Sequence, residues 1–104
     1  MNNYSYLSDD NAKVLFRAIL TLENEQECED FFSDLCTARE IQEMAQRLEV
    51  ARLLAKGLVY ADISKETGAS TTTISRVNRS INYGAGGYSA VIEKINKDEG
   101  DQTV

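Results

Sequence analysis

Tyr60 to Ile81, YADISKETGASTTTISRVNRSI, is the stretch that decides the fold class of this chain. Ala61 to Thr67 is compatible with a short helix carrying Ile63 and Thr67 on one side. Gly68 stands where that helix must stop and the backbone turn sharply, and only glycine takes a left-handed conformation there without steric cost. Ser70 is a natural N-cap for a second helix, because its hydroxyl can accept from an unpaired N–H of the first turn. In that helix Ile74, Val77 and Ile81 fall at i, i+3 and i+7 and so share one face. Thr72, Ser75, Arg76 and Arg79 are left to the opposite face. The spacing predicts a helix-turn-helix over about 60–81, whose second helix has the apolar back and hydroxyl/arginine front of one that enters the major groove.

Two ordinary helices joined by a glycine turn would share this outline, since such turns are common. The composition of the second helix favours nucleic acid. Ser70 to Asn82 holds two arginines, two asparagines and six Ser or Thr, but no acidic residue. Hydroxyls and amides contact phosphates, while arginine pairs with phosphate or with guanine edges. The candidate DNA-binding residues are therefore Ser70, Thr71, Thr72, Ser75, Arg76 and Arg79.

The net charge of −6 works against that reading until its distribution is considered. Residues 1–36 hold eight acids and two bases, residues 37–83 five acids and seven bases, and residues 84–104 four acids and two bases. The acid is placed away from the candidate DNA surface. Non-specific affinity should still be low, because it scales with the number of phosphates neutralised. A weak general grip makes specific contacts, a dimer, or both necessary.

At 104 residues the chain is expected to form a single domain, 1–104. It has no apolar run that could span a bilayer, and MNNYSYLSDD lacks the basic start and apolar stretch of a signal peptide, so a cytoplasmic location is the expectation. Cys28 and Cys36, eight apart, match no CxxC motif and are expected to be buried, reduced thiols. With no histidine, neither a metal site nor a cofactor is expected.

The chain reads as all-α. Proline is absent, and no stretch alternates apolar and polar residues long enough for a strand. Ser8 can cap a first helix of about Asp9 to Leu22 with Val14, Leu15, Ala18, Ile19 and Leu22 as its stripe. A second helix is expected over Glu25 to Leu35, with Cys28, Phe31, Phe32 and Leu35 inward. Thr37 and Glu40 form a capping-box pattern opening the longest helix, Ala38 to Lys56, which Gly57 ends. Ile41, Met44, Ala45, Leu48, Ala51, Leu54 and Ala55 give it a broad apolar face. The cluster Tyr83-Gly84-Ala85-Gly86-Gly87 lacks the preceding strand and Lys-Ser/Thr pair of a phosphate loop and reads as a flexible joint. A short last helix, Tyr88 to Lys97, carries Val91, Ile92 and Ile95, and Asp98 to Val104 reads as a frayed polar tail.

This arrangement resembles the Trp repressor superfamily and, within it, the small YerC/YecD-type Trp-repressor-like proteins. The resemblance rests on Leu35-Cys36-Thr37-Ala38-Arg39-Glu40, Arg47, Leu53-Leu54-Ala55-Lys56-Gly57, Gly68-Ala69, Thr73-Ile74-Ser75-Arg76 and Asn78-Arg79-Ser80-Ile81. It implies a six-helix fold, an intertwined homodimer, and two recognition helices presented about one DNA turn apart to a palindromic operator. It also implies a possible ligand pocket: Thr37, Arg47, Thr73, Arg76 and Ser80 have the residue types of the founding member's tryptophan site. Val77 departs from it, standing where the founder has a glycine beside the indole. Two added methyls and a β-branch would crowd a flat ring, so tryptophan is not expected as corepressor. Arg47 and Arg76 are equally readable as a structural pair of cations held by Glu43, Glu49 or phosphate.

The leading function is a sequence-specific transcriptional regulator, a repressor binding its operator as a homodimer. The alternative is a protein-interaction module on a helix-turn-helix scaffold, favoured by the acidic first third and disfavoured by the acid-free second helix. Enzyme activity is not expected, since there is no histidine and no serine with a candidate general base. Whether a small effector binds stays open.

Overall fold

The structure, a computed structural model, describes residues 5–103, with side chains described through residue 99. After a 3-10 turn (Ser5–Ser8) it consists of α1 (Asp10–Leu20), α2 (Glu25–Leu35), α3 (Ala38–Ala55), α4 (Tyr60–Thr67), α5 (Thr71–Tyr83) and α6 (Gly87–Thr103). No strand occurs among the described residues. The all-α, six-helix expectation is met. The chain divides into two compact units, residues 1–41 and 42–104.

In the first unit the helix ends are set by side-chain caps. Asp9, not Ser8, caps α1, its carboxylate accepting from the N–H of Asn11 at 3.1 Å, while Ser8 Oγ donates to the Ser5 carbonyl inside the preceding turn. Helix α1 stops two residues short of the expected Leu22, where Thr21 Oγ1 turns back to donate to the carbonyl of Ala18 at 2.6 Å. Asn24 caps α2 through the N–H of Glu27 at 2.9 Å. The expected capping box opens α3: the Thr37 N–H donates to Glu40 Oε1 at 2.8 Å, and the Glu40 N–H donates to Thr37 Oγ1 at 3.1 Å. The Thr37 backbone N–H, and then the Thr37 hydroxyl, hold the Glu40 carboxyl below its ordinary pKa.

None of residues 5–41 is buried in the single chain. Phe31 and Phe32 meet edge to face at a centroid distance of 5.6 Å, but both stay partly exposed, and Leu35 is half exposed. The inward placement expected of Cys28 is not found: it is exposed, Cys36 is half-buried, and both thiols are free. Val14, Phe16, Leu20 and Leu35 are exposed, so apolar surface of α1 and α2 remains in solvent in the single chain.

The second unit holds the core. Val50, Ala51 and Leu53 of α3, Ile63 of α4, Ala69 of the turn, Ile74 and Val77 of α5, and Ile92 of α6 are buried together. Burying an Ile or Leu side chain is worth about 1.5–3 kcal/mol, and Val50, Ile63 and Ile74 are fully sequestered. The face of α3 that is used matches the expected one only in part: Ala51 is fully buried and Leu48 and Leu54 pack against the core. Met44, Ala45 and Ala55 are exposed and Ile41 is only partly buried, whereas Val50 and Leu53, not counted in the stripe, are buried beside Ala51. Helix α3 is apolar on more than one side, and α4 and α5 pack on the side where Val50 and Leu53 stand.

The glycine cluster is a defined connection. Gly84 ends α5, its N–H donating to the Ser80 carbonyl at 2.9 Å, and a Cβ there would collide with that carbonyl. Gly87 opens α6, which continues through the expected tail to Thr103; Val104 lies outside the described residues. Arg52 of α3 reaches Glu99 of α6, so the longer helix has a polar attachment along its last turns.

Candidate nucleic-acid interface

Helices α4 and α5 and their turn lie within the second unit. Gly68 takes φ 75°, the left-handed conformation the turn requires, and its N–H donates to the Ser64 carbonyl at 2.8 Å. Ser64 Oγ donates to the Ala69 carbonyl at 2.8 Å, Thr67 Oγ1 donates to the Ile63 carbonyl at 2.7 Å, and the Ala69 N–H donates to Thr67 Oγ1 at 3.1 Å. Ser70 caps α5 as expected, accepting from the Thr73 N–H at 3.1 Å. The Ser70 hydroxyl also lies 3.2 Å from Thr73 Oγ1.

The 3.6-residue period then sorts α5. Ile74 and Val77 are buried and Ile81 half-buried, which anchors one face. Ser70, Thr71, Thr72, Ser75, Arg76 and Arg79 are all exposed. A surface of hydroxyls and two guanidinium groups, held by a buried aliphatic back and free of carboxylates from Ser70 to Asn82, can donate to phosphate oxygens and to acceptor atoms of base edges.

Beside this face lies a cleft of about 240 Å³ lined by Glu43, Gln46 and Arg47 of α3 and by Thr73 and Arg76 of α5. It brings together three of the six expected pocket residues: Arg47, Thr73 and Arg76. Val77 does not line it; its side chain is in the core cluster. Ser80 is exposed and is not part of the cleft wall, and Thr37 belongs to the first unit, where its hydroxyl serves the capping box. Gln46 was not anticipated in any role. An uncharged residue beside an arginine carries no sequence signal, and its placement depends on how α4 packs on α3.

No group of three or more His, Cys, Asp or Glu suited to a metal occurs among the described residues, and no helix there is long and apolar enough to cross a membrane.

A glycine-turned pair of helices, seated on a longer helix with its second member facing outward, defines a helix-turn-helix protein. The family model described as Trp repressor protein matches residues 10–96, and the chain belongs to that family, one of regulators rather than enzymes. It is 53% identical over 85 residues to the uncharacterized protein YerC of Bacillus subtilis (strain 168), covering 82% of each chain. Two solved structures share the fold. The TrpR-like protein from Eubacterium eligens ATCC 27750 superposes with a TM-score of 0.85 at 49% identity, over 88% of this chain and 95% of that one. A candidate Trp repressor from Staphylococcus aureus gives 0.87 at 47% identity, over 92% and 96%.

Proposed function

We propose that this protein is a sequence-specific DNA-binding transcriptional regulator that represses by occluding a palindromic operator, which it binds as a homodimer in the cytoplasm. The observation that carries the reading is the division of α5: Ile74 and Val77 are 0% and 3% exposed, while the six candidate DNA-binding residues are all exposed on a face without an acid. Membership of the Trp repressor family supports it.

Homodimer formation is supported by the first unit. Tyr6, Leu7, Val14, Phe16, Leu20 and Leu35 are all exposed there, Leu20 at 83%, and no residue between 5 and 41 is buried. Apolar surface of that extent in a short chain is what a second copy would cover, joining residues 1–104 of each chain into one intertwined domain.

The protein is read as unresponsive to tryptophan, on different grounds from the crowding expected at Val77. Val77 turns its bulk into the core, so it does not narrow the cleft. The cleft walls are Glu43, Gln46, Arg47, Thr73 and Arg76, with no apolar side chain for an indole to rest on. Arg47 and Arg76 suit a small carboxylate better.

Recovery of chromosomal fragments bound by the purified protein, followed by titration of the bound fragment with salt, tests the reading. A shared palindrome and a steep fall of affinity with salt are expected, since each neutralised phosphate releases counterions. Recovery of no common sequence, with salt-insensitive attachment to other proteins, would favour the alternative of a protein-interaction module, for which the net charge of −6 is the supporting observation.

A further inference from the structure

The turn between α4 and α5 sets the direction in which Arg76 and Arg79 point, since any rotation at the end of α4 is passed to the helix that follows. Most bonds that fix this turn are local, among Ser64, Thr67, Gly68 and Ala69. One comes from 21 positions upstream: Gln46 Nε2 of α3 donates to the carbonyl oxygen of Thr67 at 3.1 Å. Thr67 is the last residue of α4, so its carbonyl has no donor four residues on within that helix. The Gln46 amide supplies the missing donor.

We infer that Gln46 is a positioning residue for the reading head, fixing the end of α4, and through Gly68 the start of α5, on the platform of α3; the inference rests on the DNA-binding reading. Gln46 and Thr67 are both half-buried, so water competes poorly for the bond. Aliphatic packing of Ile63 and Ile74 on Val50 resists separation of the helices but is non-directional and tolerates a small rotation. A hydrogen bond to the last carbonyl of α4 is directional and limits that rotation. Gln46 also forms part of the wall of the cleft containing Arg47, Thr73 and Arg76. The side chain that holds the turn is therefore one that an occupant of the cleft would meet.

Gln46→Met keeps most of the side chain's length and removes its donor, whereas Gln46→Ala removes both. Amide exchange in the DNA-free protein reads the turn directly. Both variants should raise exchange at Gly68 and Ala69 by about 3- to 10-fold, with Ile63 and Ile74 unchanged. Affinity for the chromosomal fragment recovered with the parent protein should fall by a similar factor, while affinity for a random-sequence duplex changes little. If Gln46→Met matches the parent in exchange, Gln46 only fills space and the inference is overturned. It is equally overturned if exchange rises but affinity for the recovered fragment holds. Faster exchange in both variants of a parent that binds no duplex at all would remove the DNA reading and leave Gln46 as the residue that orients the turn.

Discussion

The guanidinium of Arg52 spans α3 and α6 through Glu99: Nη2 lies 3.1 Å from Oε1 and 3.0 Å from Oε2, while Nη1 meets Glu49 Oε1 at 3.1 Å. The Arg52 side chain is 24% exposed and Glu99 53%, so the pair is wet on its carboxylate side, and Arg52 Nε is buried without a partner. Such a pair is worth about 0.2–1 kcal/mol. Glu99→Gln should therefore lower unfolding stability by no more than about 1 kcal/mol, with the difference vanishing near 1 M salt, where the screening length is about 3 Å. Denaturant unfolding of parent and variant at two salt concentrations checks this. A loss that persists undiminished at high salt would mean that packing of the Glu99 stem matters more than its charge.

Acid should weaken the start of α3. Glu40 is held below its ordinary pKa of 4.5 by the backbone N–H and then the hydroxyl of Thr37. A carboxylate whose folded pKa is depressed contributes stability that is full above the unfolded value and is lost as pH falls through the folded one. The expected result is a thermal midpoint that declines as pH is lowered below about 4.5, with a shallower decline in Glu40→Gln. Parallel acid limbs in the two proteins would show that other carboxylates govern acid unfolding.

Arg79→Ala should fold normally and lose operator affinity. A base-reading arginine carries about 1–3 kcal/mol of discrimination, or roughly 5- to 150-fold, and its loss relaxes the sequence preference at one position. If Arg79 touches only phosphate, the loss should be uniform across sequences and the salt slope should fall by about one. Unchanged binding would remove Arg79 from the interface.

In sedimentation the folded protein should run at twice the 11.6 kDa chain mass at micromolar concentration. Leu20→Glu, at a site 83% exposed in the single chain, should shift the equilibrium towards monomer and lower the melting temperature as concentration drops. A stable folded monomer of the parent chain would show that the apolar surface of α1 and α2 faces something other than a second copy.

Calorimetry with L-tryptophan should give no saturable heat in the micromolar range, and added tryptophan should leave operator affinity unchanged. The cleft between α3 and α5 offers guanidinium groups to a carboxylate but no apolar wall to a ring. Saturable micromolar binding would require an apolar surface contributed from outside the cleft described for the single chain.

Local chemistry was sufficient for the helix limits around the reading head. Ser70, Gly68 and the Thr37–Glu40 pair act on backbone groups within a few residues of themselves, and each was found in the expected role. The same reasoning failed at Ser8 because Asp9 beside it is an equally good cap, and sequence spacing does not choose between neighbours. The burial of Ile74 and Val77 behind Arg76 and Arg79 followed from a 3.6-residue period with polar and apolar residues on opposite sides. What tertiary structure alone decided lies where that contrast is missing. Helix α3 is apolar on several sides, so the choice of Val50 and Leu53 over Met44 and Ala45 was made by the helices that pack there. Gln46 found the carbonyl of Thr67 because contacts between distant positions depend on how helices cross, which no local period encodes.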